Sequence, residues 1–244
     1  MTVLLRRRPA IAHSPVPVPT AHRRAIPALA RTARFIAGAS LIGAGVAIVI
    51  QANLGAGPQD ALVLAASSRF GVSYAVASWT LNAILIAFAA IHVRPSVTSI
   101  AQPILVTTVI NYLITHTGAA ADPTVQWLLY GAGIATLAAG IALYISADAG
   151  FGPTEAAVQA LSRHMPQVAA WALLLTSFVA GAYLLGGSFG PGTVLFVVGL
   201  GPIVRFWSRV LTRLAPSVES AVPYTADAPT MHDRERSAGM RPLR

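Results

Sequence analysis

Two short stretches of this chain hold the residue types from which a site could be built. Asn53-Leu54-Gly55-Ala56-Gly57-Pro58-Gln59-Asp60 and Asp148-Ala149-Gly150-Phe151-Gly152-Pro153-Thr154-Glu155 lie 95 residues apart and share the pattern G-x-G-P-x-[D/E]. Gly55 and Gly57 permit a tight turn, Pro58 suits the first position of a helix, and Asp60 falls in its first turn; Gly150, Gly152, Pro153 and Glu155 repeat each role. A short helix whose N-terminus points into a bilayer ordinarily attracts an anion. Here a full carboxylate outweighs the terminus's partial charge of about +0.5, so an ionised acid leaves the site slightly negative. A cation, a proton or an amine-bearing polar solute suits it better than a phosphate. The same acid is also a routine helix-start device worth about 0.3 to 1 kcal/mol, with the short helix lying at the interface. Depth separates the two readings, because an ionised Asp at the bilayer centre costs about 2.5 to 3.5 kcal/mol. Asn53 and Asp148 fit either capping or coordination.

Other chemistry is scarce. The chain has no cysteine, which removes disulfides, thiolate metal sites and cysteine nucleophiles. His92, His116 and His164 are scattered near expected loops with no metal-ligand spacing and read as interface residues. Neither a G-x-x-x-x-G-K-[ST] phosphate loop nor a G-x-S-x-G elbow occurs, and the run from Gly186 to Gly192 reads as a turn. No nucleophile is paired with a base. The expectation is a protein that is not an enzyme, with no metal and no cofactor.

The elements that must position the two stretches are membrane helices. Of 244 residues, 55% are hydrophobic and only 10% charged, with mean hydropathy +0.65; an average soluble domain carries about 25% charge. Apolar runs give crossings at Phe35 to Ala52, Tyr74 to Val93, Val97 to Thr115, Val125 to Ile145 and Val168 to Leu185, with a shorter sixth near Thr193 to Trp207. Between them, Pro58 to Phe70 and Pro153 to His164 span only about 18 to 20 Å, too little for a core of roughly 30 Å. Tyr74, Trp127, Tyr130 and Trp207 fall near helix ends, as anchors of an aromatic belt would. Asn82, Gln102, Thr107, Thr108, Asn111, Thr176 and Ser177 lie inside spans and read as polar glue between helices.

Sliding the chain by 95 residues matches eleven of 23 positions over 45 to 67, the glycines and proline among them. Three crossings per half is an odd number, so the second half enters the membrane upside down. The expected architecture is all-α, a polytopic bundle of about six transmembrane helices in two inverted three-helix repeats, each with a short half-helix after its G-x-G-P turn. The divisions are a disordered basic arm over 1–34, repeat 1 over 35–116, repeat 2 over 124–211 and a disordered tail over 215–244.

Charge orients this bundle. Residues 1–34 and 205–244 hold fourteen of the seventeen arginines against four acids, whereas the body between has three arginines against four acids. Arginine clusters flanking an apolar body mark cytoplasmic termini. A basic stripe interleaved with aromatics is absent, which argues against nucleic acid as a partner. The expected location is a cell membrane with both termini cytoplasmic, Asp122 outside, and His92, Arg94, Arg163 and His164 inside. The partners are then the lipid bilayer and a small polar or cationic solute.

On these residues the chain resembles the YczE/YyaS/YitT group of bacterial integral membrane proteins, most closely its YczE-like branch, over about residues 35 to 211. The resemblance rests on Ala52 to Asp60, on Gly150 to Glu155, and on Gly186-Gly187, Gly190-Pro191-Gly192-Thr193 and Gly201-Pro202. Gln59 stands where the group usually has tryptophan, and Thr154-Glu155 where a basic residue and Asp are typical. The resemblance implies a polytopic bacterial inner-membrane protein and names no substrate. The function expected is a small-solute transporter or permease with Asp60 and Glu155 polarising a central path; the alternative is a non-transporting membrane protein that supports a biosynthetic or signalling assembly.

Overall fold

A computed structural model of the chain describes residues 27–214 apart from positions 93, 95 and 149. The expected tail over 215–244 and residues 1–26 of the expected arm lie outside them. Among the described residues the chain is entirely helical: α1 Ala28–Gln51, α2 Pro58–Phe70, α3 Tyr74–Ala90, α4 Val97–His116, α5 Pro123–Ser146, α6 Pro153–Leu161, α7 Gln167–Leu184 and α8 Pro191–Leu214. Local chemistry sets the boundaries. Pro stands in the first turn of α2, α5 and α6, where its missing N–H is no loss. Ser73, Ser96 and Asp122 cap α3, α4 and α5 by accepting from first-turn N–H groups. Gly71, at φ 65°, ends α2 in the left-handed conformation.

Three boundaries correct the sequence reading. Helix α1 starts at Ala28, seven residues before the expected Phe35, so Arg31 and Arg34 belong to the helix. Hydropathy marks where charge stops, but arginine and alanine are good helix formers and Pro27 starts the helix earlier. Helix α6 ends at Leu161 and not at His164, because tighter turn bonds follow and Pro166 turns the chain away from helix. Helix α8 runs from Pro191 to Leu214, well beyond the short sixth span, and carries Arg205, Arg209 and Arg213.

Five helices, α1, α4, α5, α7 and α8, are long and apolar enough to cross a membrane; α3 is apolar but shorter, with 17 residues. Large apolar side chains such as Ile84, Leu128 and Val198 are 60 to 70% exposed on the outside of the bundle. That is the arrangement expected when lipid is the outer solvent.

Helices α1 and α5 form the central pair, and glycine makes their approach possible. A methyl on Gly38 would lie 2.6 Å from the Tyr144 amide nitrogen, and one on Gly140 2.6 Å from that of Ile42. Small residues at such crossings let backbones touch where lipid supplies no hydrophobic drive. Around this pair, α4 packs on α1 and α8 on α5, while α2 packs on α7 and α6 on α3. Each short helix therefore leans on a longer helix from the other half of the chain. The polar glue expected between spans is present where Ser78 and Thr107 share a hydrogen bond of 2.9 Å between α3 and α4. Asn82 donates to the Ser78 carbonyl at 2.8 Å.

Contacts sort the connections into two ends. At the first end, the Ala120 amide donates to the Gln51 carbonyl and the Gly192 amide to that of Leu54, both at 2.8 Å, which joins the α1–α2, α4–α5 and α7–α8 connections. At the second end, the Ser99 hydroxyl donates to the Phe151 carbonyl at 2.7 Å, and His92 meets His164. These join the α3–α4, α5–α6 and α6–α7 connections.

Candidate functional site

The two G-x-G-P turns have the same backbone. Asn53 and Asp148, just after α1 and α5, are the non-glycine residues at positive φ among those described, at 54° and 48°. Asn and Asp tolerate this left-handed region better than other side chains, which accounts for both identities as helix-ending residues. Gly55 and Gly150 follow at φ 112° and 115°, where only glycine fits without strain. A Cβ on Gly55 would lie 2.6 Å from the hydroxyl of Thr193, and one on Gly150 would lie 2.6 Å from that of Thr98. Thr98 and Thr193 are themselves 95 residues apart. Each turn is thus wedged against the start of a long helix, α8 at the first end and α4 at the second.

From opposite ends the turns reach inward and meet. Four residues after Gly55 stands Gln59, and four after Gly150 stands Thr154; the Thr154 hydroxyl donates to Gln59 Oε1 at 2.9 Å. The starts of α2 and α6 are therefore neighbours, although the turns that lead into them belong to different ends. Both helix termini direct partial positive charge toward this meeting point, and the next residue on each strand of chain is an acid.

The two acids are held differently. Tyr74 donates its hydroxyl to Asp60 Oδ1 at 2.8 Å; Tyr74 itself is 4% exposed and Asp60 is half-buried. The carboxylate of Glu155 instead folds back on the backbone of Gly152 and of its own residue. That is the returning half of a capping box. Glu155 remains exposed on its other side, with the Gln102 amide beside it, since a Cβ on Gly152 would lie 2.6 Å from Glu155 Oε2 and 3.2 Å from Gln102 Oε1.

A cavity of about 460 Å³ opens at the first end, lined by Asn53, Gly55, Ser68 and the Gly186–Pro191 connection. Asp60 and Glu155 do not line it. The glycine-rich run that reads as a plain turn in the sequence is thus one wall of a cavity. Two expected belt anchors are corrected as well: Tyr74 and Tyr130 are both 4% exposed, and the Tyr130 hydroxyl donates to the Gly192 carbonyl. A hydroxyl with a partner makes full burial of tyrosine tolerable. Trp127 is 47% exposed, as an anchor would be. Among the described residues no three His, Asp or Glu side chains gather in a way that could hold a metal ion.

The family of unknown function DUF6198 matches residues 29–209. The uncharacterized membrane protein YczE of Bacillus subtilis (strain 168) is 25% identical over 178 residues, which cover 70% of this chain and 82% of that protein. An uncharacterized protein of Haemophilus influenzae is 25% identical over 183 residues, or 72% of this chain and 82% of its own length. No solved structure matches this chain. With several helices able to cross a membrane, the likeness to a membrane protein makes this a multi-pass membrane protein.

Proposed function

We propose that this chain, which belongs to the YczE-like membrane proteins of the family DUF6198, is a small-solute transporter or permease whose path runs between the starts of α2 and α6. The observation that carries this reading is the 2.9 Å hydrogen bond from Thr154 to Gln59. Two helices too short to cross a membrane, entered from opposite ends, meet where a solute path needs polar groups inside an apolar body. An inverted repeat accounts for the rest. Helices α1 and α5 have identical length and bounds displaced by 95 residues, and the helix pairings are exchanged between halves. In this reading α3, at 17 residues and about 26 Å, is the sixth crossing with a modest thinning of the bilayer around it. The bacterial inner membrane is the location, with both termini cytoplasmic, where the basic ends belong.

Asp60 and Glu155 set the preference of the path for a cation, a proton or an amine-bearing solute. No catalytic step is assigned. The test is solute-dependent flux, or stabilisation by added solute, with the purified protein in liposomes. Asp60→Asn or Glu155→Gln should lower flux by about tenfold or more, the scale of losing one well-placed charged contact. Unchanged flux in both variants removes the proposed path.

One observation favours a second reading, a scaffold for a membrane assembly. Both acids already have local partners, Tyr74 for Asp60 and helix backbone for Glu155, so their presence is explained without a solute. Crosslinked partners lost when the basic ends are deleted, with both carboxylates dispensable, would support it.

A further inference from the structure

Two histidines read as separate interface residues are in contact. His92 follows α3 and His164 lies in the turn after α6; their Nε2 atoms are 3.2 Å apart and the rings meet edge to face with centroids 5.2 Å apart. One nitrogen must carry the hydrogen and the other must be bare. The remaining ring nitrogen of His92 decides which. Its Nδ1 is buried with no hydrogen-bond partner, and a buried N–H without an acceptor is rarer and costlier than a bare acceptor. His92 therefore keeps its hydrogen on Nε2 and donates to His164 Nε2.

That arrangement takes up another proton only at a cost. A proton on His164 Nε2 removes the acceptor, and the bond could then reverse only by moving the His92 hydrogen to the partnerless Nδ1. A proton on His92 Nδ1 buries a cation with an unpaired N–H. With either proton the pair holds one charge-assisted N–H···N bond and leaves the His92 Nδ1–H unpaired, and a second proton removes the last acceptor and ends the contact. A metal ion held by both imidazoles would also need His92 to carry its hydrogen on Nδ1, and a metal-bound imidazole ordinarily gives its other N–H to an acceptor.

We propose that His92 and His164 form a latch that closes the second end of the bundle and releases when both imidazoles are protonated. The charged groups on the surrounding chain are Arg94 on the α3–α4 connection, Asp148 and Glu155 around the α5–α6 turn, and Arg163 beside His164. Of the helices packed on α3 and α6, α2 adds Asp60 and Arg69, while α4 and α7 carry no Asp, Glu, Lys or Arg. The start of α1 adds Arg31 and Arg34 at this end and the last turns of α8 add Arg205, Arg209 and Arg213, so the end is basic and disfavours a doubly charged pair. Burial raises the carboxyl of Glu155, and the histidine variants below separate its protonation from that of the pair. The other contact at this end, Ser99 to Phe151, involves no titrating group. The latch therefore holds in alkaline solution and opens as acid charges both rings. Transport is not a premise of this inference, and it survives failure of the flux test.

The absence of cysteine makes the test direct. Spin labels on Ile91→Cys and Gln167→Cys, in the full chain in nanodiscs, flank the latch on exposed positions. Dipolar broadening of the electron paramagnetic resonance spectrum should fall by about half from pH 8 to pH 5 as the two turns separate. With His164→Gln added, or separately His92→Asn, the spectrum should be the same at both pH values. No pH change in the parent pair, or the same change in both histidine variants, overturns the latch. Broadening at pH 5 that added Zn²⁺ restores only when both histidines are present would show a metal clip instead and overturn the proton assignment.

Discussion

The two ends of the bundle are built from corresponding residues and finished in opposite ways. At the first end the Gly186–Pro191 connection touches α2 at Gly187 and leaves a cavity beside that contact. Displaced by 95 residues, the corresponding segment is 91–96 at the second end, where His92 closes on His164. Gly187 thus corresponds to His92, and the cavity-lining Ser68 to Arg163. The difference is enforced by packing. A Cβ on Gly187 would lie 2.8 Å from the Ala182 carbonyl oxygen and 3.0 Å from Ala65 Cβ, so no histidine can stand there without moving backbone. Turns of the same backbone can therefore stand at an open end and at a closed one, where the positions that face the opening differ.

The largest effect should come from breaking what the two ends share. Gly55→Val and Gly150→Val each force a branched side chain to φ above 110° and toward a threonine hydroxyl 2.6 Å away. Backbone strain and overpacking each contribute about 1 to 3 kcal/mol. Both variants should lose most of their monodisperse peak in gel filtration after detergent extraction, to a similar degree. A collapse confined to one of them would show that the turns are not equivalent supports.

A smaller effect separates the two acids. Tyr74→Phe removes the hydroxyl that Asp60 accepts from, a bond to a charged group worth about 1.5 to 3 kcal/mol. Tyr144→Phe, at the second turn, loses only a 3.3 Å contact with the Gly150 carbonyl, for about 0.5 kcal/mol. Thermal unfolding in one detergent should put the Tyr74 variant clearly below the Tyr144 variant. Equal midpoints would mean that Asp60 does not rely on Tyr74.

How far this asymmetry can be read from sequence depends on the range of the interactions. The turns were legible, because Gly-x-Gly-Pro fixes local backbone and its recurrence at 95 residues needs no knowledge of packing. So was the all-helical class, from the shortage of charge. Tyr74 was misread as an interface anchor because its partner lies fourteen residues back, across the reversal at Gly71. His92 and His164 are 72 residues apart, and nothing in their spacing says that α6 packs on α3. The cavity was hidden for the same reason: a glycine-rich connection has one composition whether it lies flat on its neighbours or leaves a cavity beside them.

The smallest effect tests the point at which the comparison closes, where the halves touch. Thr154→Val and Gln59→Leu each delete one partner of the bond between the starts of α2 and α6. Each single variant should cost about 1 to 3 kcal/mol if its partner is left unsatisfied, and the double variant should cost less than the two together. The expected coupling in a double-mutant cycle is about 0.5 to 1.5 kcal/mol, read from denaturant unfolding in micelles. Side chains more than about 7 to 10 Å apart without shared partners add within about 0.3 to 0.5 kcal/mol. Additive losses would therefore separate α2 from α6 and leave two capped helices with no common centre. Coupling that persists when solute is absent and weakens when it is present would instead identify this bond as the contact a solute displaces, and would tie the open end to the closed one through a single shared pair.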